Sequence, residues 1–209
     1  MTKPRVLLAD DHRMVTEGLK GLLVEEFELL GIVEDGRALV AAARKLRPDV
    51  IVADISMPQL NGLDALATLK RDNPDVRVVF LTMHRDAAYA RRALEAGASG
   101  FVLKHSAPAE LVLAVRAALQ GRTFITPDLA AEVLRTPNEK DTNPLAALTP
   151  RQREILQFLA EGKSAKEIAA GLGLSARTVE FHKYTLMDAL GMENSAELIR
   201  FAVKHGLVP

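Results

Sequence analysis

The stretch Val50-Ile51-Val52-Ala53-Asp54 decides the fold, because four apolar residues, three of them β-branched, run directly into a carboxylate. Three other short apolar runs end at polar side chains in the same way: Val6–Ala9, residues 76–81 and Phe101–Leu103. Amphipathic stretches with helical leucine spacing separate the runs, and a further strand is predicted over residues 29–33. Five such alternations predict an α/β domain with a doubly wound, five-stranded parallel sheet.

The polar residues at the ends of these runs form the first candidate site. They are Asp10, Asp11, Asp54, Thr82 and Lys104. In an open parallel sheet, side chains at the strand carboxyl ends converge on one crevice, where ligands bind. A strand-end Asp is more often a turn former, and a lone Lys is usually solvated. All five together indicate a Mg²⁺ site that accepts a phosphoryl group, with Asp54 as the nucleophile.

Composition excludes several classes of protein. The chain has 209 residues, equal numbers of acidic and basic residues, and no cysteine, so disulfides and thiolate metal sites are excluded. Its first residues do not resemble a signal peptide. No apolar stretch approaches the ~18 residues of a membrane span. These features predict a cytoplasmic protein without membrane contact.

The pattern changes after residue 121, and we predict three parts: an α/β domain over residues 1–121, a linker over 122–145, and a helical domain over 146–209. Residues 135–144 are polar and flanked by proline, as is typical of linkers. Within the linker, Asp128–Leu134 is predicted to form a short helix. After it, N-cap residues and glycines predict four helices and an all-α fold.

The second candidate site is a helix-turn-helix pattern in the last third of the chain. Gly173 eases the predicted turn and Ser175 caps the following helix, Ala176–Leu190. Residues 146–209 carry eight Lys/Arg against seven acids, a difference of +1, so bulk charge does not favour DNA binding. The prediction therefore depends on local arrangement. The candidate DNA contacts are Lys163, Lys166, Ser175, Arg177, Thr178, Glu180, Phe181, His182, Lys183 and Tyr184. The alternative is a small helical bundle that contacts proteins.

Residues 4–120 resemble the receiver domain of bacterial two-component response regulators, a flavodoxin-like fold. The motifs that carry the resemblance are Asp10-Asp11, Asp54-Ile55-Ser56-Met57-Pro58 with Asn61-Gly62, Thr82, Ala96-Gly97-Ala98-Ser99-Gly100-Phe101, and Lys104. The resemblance implies that Asp11, Asp54 and the Ser56 carbonyl bind Mg²⁺, with help from Asp10. It also implies that Thr82 moves toward a phosphoryl group on Asp54 while Phe101 repacks. Phe101 is equally consistent with plain core.

The C-terminal segment resembles the LuxR-type DNA-binding domain. The motifs are Leu148-Thr149-Pro150-Arg151-Gln152-Arg153-Glu154-Ile155-Leu156, Gly162-Lys163-Ser164-Ala165-Lys166-Glu167-Ile168-Ala169 and Ser175-Ala176-Arg177-Thr178-Val179-Glu180-Phe181-His182. Two positions depart from the family pattern. Ala165 stands where Asn is common, and Glu180 stands where many members carry Lys. The whole chain resembles the NarL/FixJ class, which implies a sensor histidine kinase, major-groove contact with double-stranded DNA, and a homodimer on DNA through the Ser195–Lys204 helix.

The resulting hypothesis is a phosphorylation-dependent transcriptional regulator. Such a receiver catalyses its own phosphorylation and dephosphorylation but is not a turnover enzyme. In the resting state, the receiver either covers the recognition helix or holds the chain monomeric. A metal-dependent phosphatase would carry a second acid where Ser56 stands. The intact five-residue set also argues against a constitutive DNA binder, and an autoinducer-binding regulator would lack that set.

Overall fold

The structure, a computed structural model, describes residues 2–83, 85–106, 108–135 and 144–208. Strands and helices alternate up to residue 133. In chain order they are β1 Arg5–Ala9, α1 Arg13–Glu26, β2 Glu28–Val33, α2 Gly36–Leu46, β3 Val50–Ala53, α3 Gly62–Asp72, β4 Val78–Thr82, α4 Ala87–Glu95, β5 Gly100–Leu103, α5 Pro108–Leu119, β6 Phe124–Ile125 and α6 Pro127–Val133.

The strands form one parallel sheet in the order β2-β1-β3-β4-β5-β6. This confirms the predicted doubly wound fold, with one correction: the sheet has six strands, not five. The sixth strand, β6, lies inside the predicted linker, where Phe124 pairs with Gly100 and Ile125 with Phe101. Two residues are too short to show an alternating pattern, so the sequence carried no strand signal there.

Helices cover both faces of the sheet, because the strands are apolar on both sides. On one face, Leu7, Ile51 and Phe80 pack with residues of α2, α3 and α4. On the other, Leu8 and Val52 pack with residues of α1 and α5. The two cores hold the sheet rigidly, so the carboxyl ends of β1, β3, β4 and β5 are fixed side by side.

The short helix predicted over residues 128–134 is present as α6, beside α4. Arg91 Nη1 of α4 donates to the carbonyl of Glu132, at 2.9 Å. Residues 136–143, the centre of the predicted linker, lie outside the described residues. Within the described ranges, no helix has the length and apolar character needed to cross a membrane.

Residues 144–208 form a 3-10 turn, Pro144–Ala147, and the four helices expected from the sequence. These are α7 Pro150–Ala160, α8 Ala165–Leu172, α9 Ala176–Leu190 and α10 Ser195–Lys204. Thr149 and Ser164 each begin a helix with a reciprocal capping box. A separate core of this unit includes Ile155, Leu186 and Leu198.

Candidate functional site

Asp54 lies directly after β3, at the carboxyl edge of the sheet. Its backbone N–H donates to the carbonyl of Ala9 in the neighbouring strand, at 2.8 Å. Its Oδ1 accepts the N–H of Ile55 at 2.6 Å, and its side chain is only 4% exposed. Burial raises the pKa of this carboxyl, and the negative charge of Asp10 adds to the rise, against the opposing pull of Lys104. Asp54 is therefore a buried carboxyl held by the backbone.

Lys104 joins the ends of three strands. Its Nζ lies 2.6 Å from Asp54 Oδ2 and 2.7 Å from Asp10 Oδ2. Burial alone would lower the pKa of this ammonium, but the two carboxylates outweigh that effect and raise the pKa above its usual value. Lys104 is the first residue after β5, and its backbone N–H donates to the carbonyl of Thr82 at the end of β4. The ammonium of Lys104 thus lies in contact with Asp54, the nucleophile predicted from the sequence.

Three carboxylates and one imidazole lie close together at this edge of the sheet. Ligand atoms of Asp10, Asp11, His12 and Asp54 all lie within 4.8 Å of one another. Nδ1 of His12 is 3.1 Å from Asp10 Oδ1 and 3.0 Å from Asp11 Oδ1. The oxygen donors fit a hard divalent cation. Sequence reasoning missed His12, although its position directly after the acidic pair was a usable sign.

Thr82 and Phe101 lie where the sequence predicted, one at the end of β4 and the other inside β5. Both side chains are fully buried. Phe101 pairs with Phe80 across β4 and β5 and belongs to the main core. In this arrangement Phe101 is a core residue, and a change in its packing stays a prediction.

The loop between β3 and α3, residues 54–61 and hereafter the β3–α3 loop, is packed tightly at both ends. A Cβ on Gly62 would lie 2.3 Å from the carbonyl oxygen of Asp54, and one on Gly36 would lie 1.8 Å from that of Leu60. Gln59 takes a left-handed conformation, with φ of 66°. Such a backbone is disfavoured for a residue with a side chain, so neighbouring contacts must hold it.

Part of that support comes from the helical C-terminal unit, which sequence reasoning did not connect to this loop. Gln157 of α7 is fully buried, and its amide bonds to Met57 and Asn61. Glu161, directly after α7, accepts the N–H of Gln59 at 2.8 Å. The available sign was a lone Gln inside the apolar run from Ile155 to Leu159, which would otherwise bury an unpaired amide.

The helix-turn-helix is formed by α8, a turn and α9. Gly173 ends α8 in a left-handed conformation, with φ of 65°. Ser175 begins α9, where its Oγ accepts the N–H of Thr178 at 3.0 Å. The αL residue thus ends α8 and the serine cap begins α9, which is the arrangement of a helix-turn-helix.

All of the predicted DNA contacts are exposed or partly exposed. The side chains of Phe181 and Tyr184 are 67% and 62% exposed. The exposed polar members are Lys163, Lys166, Ser175 and Arg177; Thr178, Glu180, His182 and Lys183 are partly exposed. Nζ of Lys183 pairs with Glu180 Oε2 at 2.9 Å. The expectation that the receiver covers the recognition helix does not describe this structure, because α7 and the tail occupy the receiver surface instead.

Family models match both parts of the chain. A model described as the response regulator receiver domain matches residues 6–116. A second, described as bacterial regulatory proteins of the luxR family, matches residues 146–202. The first match alone spans more than half of the chain.

Relatives align with the chain almost from end to end. The transcriptional regulatory protein MctR of Rhizobium johnstonii is 36% identical over 99% of this chain and 96% of its own length. The response regulator UvrY of Escherichia coli K12 is 32% identical over 97% and 94%. The response regulator GacA of Pseudomonas aeruginosa is 32% identical over 98% and 97%.

Solved structures agree with these matches. The RcsB response regulator of Salmonella typhimurium has a TM-score of 0.67 and is 31% identical, over 98% of this chain and 99% of that one. An RcsB–DNA complex has a TM-score of 0.59 and is 29% identical, over 98% and 99%. The chain belongs to the response regulators that join a receiver domain to a LuxR-type DNA-binding domain, and is a DNA-binding transcription regulator rather than an enzyme.

Proposed function

We propose that Asp54 accepts a phosphoryl group from a sensor histidine kinase and that this modification controls promoter binding by the C-terminal domain. The observation that carries the proposal is the contact of Lys104 Nζ with Asp54 Oδ2, at 2.6 Å, beside the acidic cluster of Asp10 and Asp11. A buried nucleophilic carboxylate needs such a cation, since a phosphoryl donor brings further negative charge.

In the transfer step, a carboxylate oxygen of Asp54 attacks the phosphorus of the donor. A new P–O bond forms to Asp54, the bond from phosphorus to the donor breaks, and the leaving group departs with its electron pair. Lys104 offsets the charge that collects on the phosphoryl oxygens. Mg²⁺, held by Asp10, Asp11, Asp54 and the Ser56 carbonyl, would offset the repulsion between donor and carboxylate.

The phosphoryl state is read by Thr82 and Phe101. Thr82 ends β4, and Lys104 donates its N–H to the Thr82 carbonyl, so the two residues are linked directly. Movement of the Thr82 hydroxyl toward the phosphoryl oxygens opens space behind it, into which Phe101 repacks. This is a two-state change in which the modification favours one state.

The C-terminal domain binds the major groove through the start of α9. Lys163, Lys166, Arg177 and Lys183 contact phosphates, while Ser175, Thr178, Glu180, Phe181, His182 and Tyr184 lie at or near the groove. A homodimer on DNA forms through α10, where Ile199 and Val203 are exposed apolar residues four positions apart.

The domain bounds proposed here are 1–121 for the receiver, 122–145 for the connection, which contains β6 and α6, and 146–209 for the DNA-binding domain. Both family matches lie inside these bounds. The receiver promotes phosphorylation of Asp54 and its hydrolysis without acting on a separate substrate. Since its partners are DNA and a kinase domain, we place the protein in the cytoplasm.

The test is intact mass after incubation with Mg²⁺ and acetyl phosphate. We expect a gain of one phosphoryl group in the wild type and none in Asp54→Asn. Asp49→Asn is the matched control, because Asp49 precedes the same strand at its opposite end and accepts from the N–H of Arg5 at 2.7 Å. An equal gain in Asp54→Asn would overturn the assignment of Asp54.

A further inference from the structure

We propose that α7 and the C-terminal tail hold the β3–α3 loop in a closed form that slows phosphoryl transfer to Asp54, with Gln157 as the main contact. The inference rests on the proposed phosphorylation of Asp54. It differs from masking of the DNA-binding surface, because the contact closes the receiver site while the recognition helix stays open.

Gln157 bonds to the backbone on both sides of Gln59. Its Nε2 donates to the carbonyl of Met57 at 2.7 Å, and its Oε1 accepts the N–H of Asn61 at 2.9 Å. The side chain is fully buried, so water cannot replace these bonds while the two domains are in contact. One amide therefore fixes the spacing between two points of the loop.

Glu161 completes the contact at the centre of the loop. Its Oε1 accepts the N–H of Gln59 at 2.8 Å and also accepts from Gln157 Nε2 at 3.0 Å. Gln59 is the loop residue with the left-handed backbone. Because that conformation is disfavoured, the bond to Glu161 helps to keep the loop in a form that it would leave more often if free.

The C-terminal tail contacts the β3–α3 loop two residues after the reacting group. Ser56 Oγ, two residues after Asp54, donates to the carbonyl of Gly206 at 3.0 Å. The following residues, Leu207 and Val208, are buried. Because Asp54 is only 4% exposed and the tail is bonded to the loop two residues further on, we expect separation of the tail and the loop to increase access to the carboxylate.

Ion pairs at the edge of the same interface support the docked arrangement. Arg153 of α7 binds Asp64 of α3 through Nη2 at 2.8 Å and Nε at 3.0 Å. Arg37 of α2 pairs with Glu154. Both pairs join the two domains, so the interface combines a buried polar centre with a charged rim.

Coupling between the two events is reciprocal. If docking disfavours the phosphorylated state of the receiver at equilibrium, and does not only slow the transfer, then phosphorylation weakens docking by the same factor. The C-terminal domain is then released as a consequence of modification, and α10 becomes free to pair with a second copy. No contact with α9 is needed for this control.

The first test compares initial rates of phosphorylation by acetyl phosphate, read by intact mass on the full chain. Loss of a buried amide with two hydrogen bonds shifts the docking equilibrium by about tenfold, so we expect Gln157→Ala to be phosphorylated about tenfold faster. Glu161→Ala, which lies at the edge of the interface and puts the fold at less risk, should show a smaller increase. Gln120→Ala is the control, because the side-chain oxygen of this amide accepts from Arg122, only two residues along the chain.

A second measurement reads the contact without phosphorylation. The N–H groups of Gln59 and Asn61 are the donors to Glu161 and Gln157, so their hydrogen exchange reports docking directly. We expect faster exchange at both amides in Gln157→Ala than in the wild type, with unchanged exchange in the core strand β1. If both amides exchange at the same rate in Gln157→Ala as in the wild type, the proposed contact is wrong.

A third measurement fixes the docked state. The chain has no cysteine, so Gln59→Cys with Glu161→Cys introduces a unique pair for a short bis-methanethiosulfonate cross-linker that reductant cleaves. We expect the cross-linked protein to be phosphorylated at least about tenfold more slowly than the same protein after reduction. Equal rates before and after reduction would refute the inference.

The outcomes separate the two proposals. Equal rates in the wild type, Gln157→Ala and the cross-linked protein would refute the restraint while leaving phosphorylation at Asp54 intact. Absence of phosphoryl gain in the reduced protein and in every variant would refute the proposed function, and the restraint with it.

Discussion

Lys104 and Asp54 form a buried ion pair, with Nζ 2.6 Å from Oδ2 and both side chains 4% exposed. Asp10 Oδ2 shares the same ammonium at 2.7 Å. One cation thus balances two carboxylates from different strands, so removing either side leaves a buried charge without its partner.

The first prediction concerns this pair. Lys104→Met should lower the free energy of unfolding by about 3 kcal/mol in buffer without divalent cations, because Asp10 and Asp54 become adjacent unpaired carboxylates. Adding Asp54→Asn should recover part of the loss. Urea unfolding of the two single variants and the double variant measures the coupling. Lys20→Met, on the exposed face of α1, serves as control; a comparable loss there would contradict the explanation.

The second prediction concerns the close packing at Gly62. A Cβ there would lie 2.3 Å from the Asp54 carbonyl oxygen and 2.8 Å from the Phe80 ring. Gly62→Ala should therefore lower the free energy of unfolding by about 1–3 kcal/mol and slow phosphorylation of Asp54. Gly171→Ala is the matched control, since a Cβ at that helical position meets nothing within 4 Å. That variant should be neutral or more stable by up to about 1 kcal/mol.

The third prediction concerns the DNA face. Arg177→Ala and Lys183→Ala should weaken binding to all DNA sequences alike and should each reduce the slope of log affinity against log salt by about 1. The reason is the loss of one phosphate contact in each case. Fluorescence anisotropy over a salt series measures both quantities. A change in sequence preference with an unaltered salt slope would show base contact instead, and Lys20→Ala should change neither.

The fourth prediction concerns assembly on DNA. Ile199 and Val203 expose an apolar strip on α10, and a charge placed there should oppose packing against a second copy. We expect Val203→Asp to bind DNA as a monomer where the wild type binds as a dimer, measured by sedimentation of the complexes. Lys204→Ala, the neighbouring exposed position, should keep the wild-type stoichiometry. Dimeric Val203→Asp complexes would exclude this surface.

The fifth prediction concerns pH. Burial lowers the pKa of His205, and the positive charges of Lys204 and Arg92 add to the effect, against Asp86. The unfolded chain therefore binds the proton more tightly than the folded one. The stability from neutral His205 is present above about pH 6.5 and is lost as pH falls toward the lower folded pKa.

Thermal unfolding at about pH 7.5 and about pH 5.5 tests this effect. The wild type should lose more stability on acidification than His205→Gln, whose side chain cannot titrate in this range. The ring of Phe201 packs against the imidazole at a tilt, with centroids 4.5 Å apart, and is unchanged in the variant. The same acid loss in both proteins would assign the effect to other groups.

Much of the receiver could be predicted from the sequence, because its strands and helices appear there as short, periodic patterns of apolar residues. Apolar runs ending in Asp10, Asp54, Thr82 and Lys104 located the strands and the crevice together. The sixth strand was missed because Phe124-Ile125 is too short for periodicity. The pattern also began β4 at residue 76, whereas pairing begins at Val78. Pairing depends on neighbouring strands, which periodicity does not describe.

The contact between the domains could not be predicted for a different reason. Gln157 and Glu161 bind main-chain groups of the receiver, and the Gly206 carbonyl accepts from Ser56. Every residue type has a backbone N–H or carbonyl, so the receiver sequence does not show which of these groups bind the other domain. Only the isolated Gln in an apolar helix was visible, and its partner is 100 residues away.

That dependence on main-chain atoms has a consequence for how such proteins can be recombined. The side chains of Met57, Gln59 and Asn61 are not what Gln157 and Glu161 recognise; the shape of the backbone is. A chimaera that joins this C-terminal domain to a foreign receiver should therefore keep the coupling wherever the loop has the same backbone conformation and the partners of Arg153 and Glu154, Asp64 and Arg37, are retained. Compatibility between the halves would follow loop geometry more closely than sequence identity.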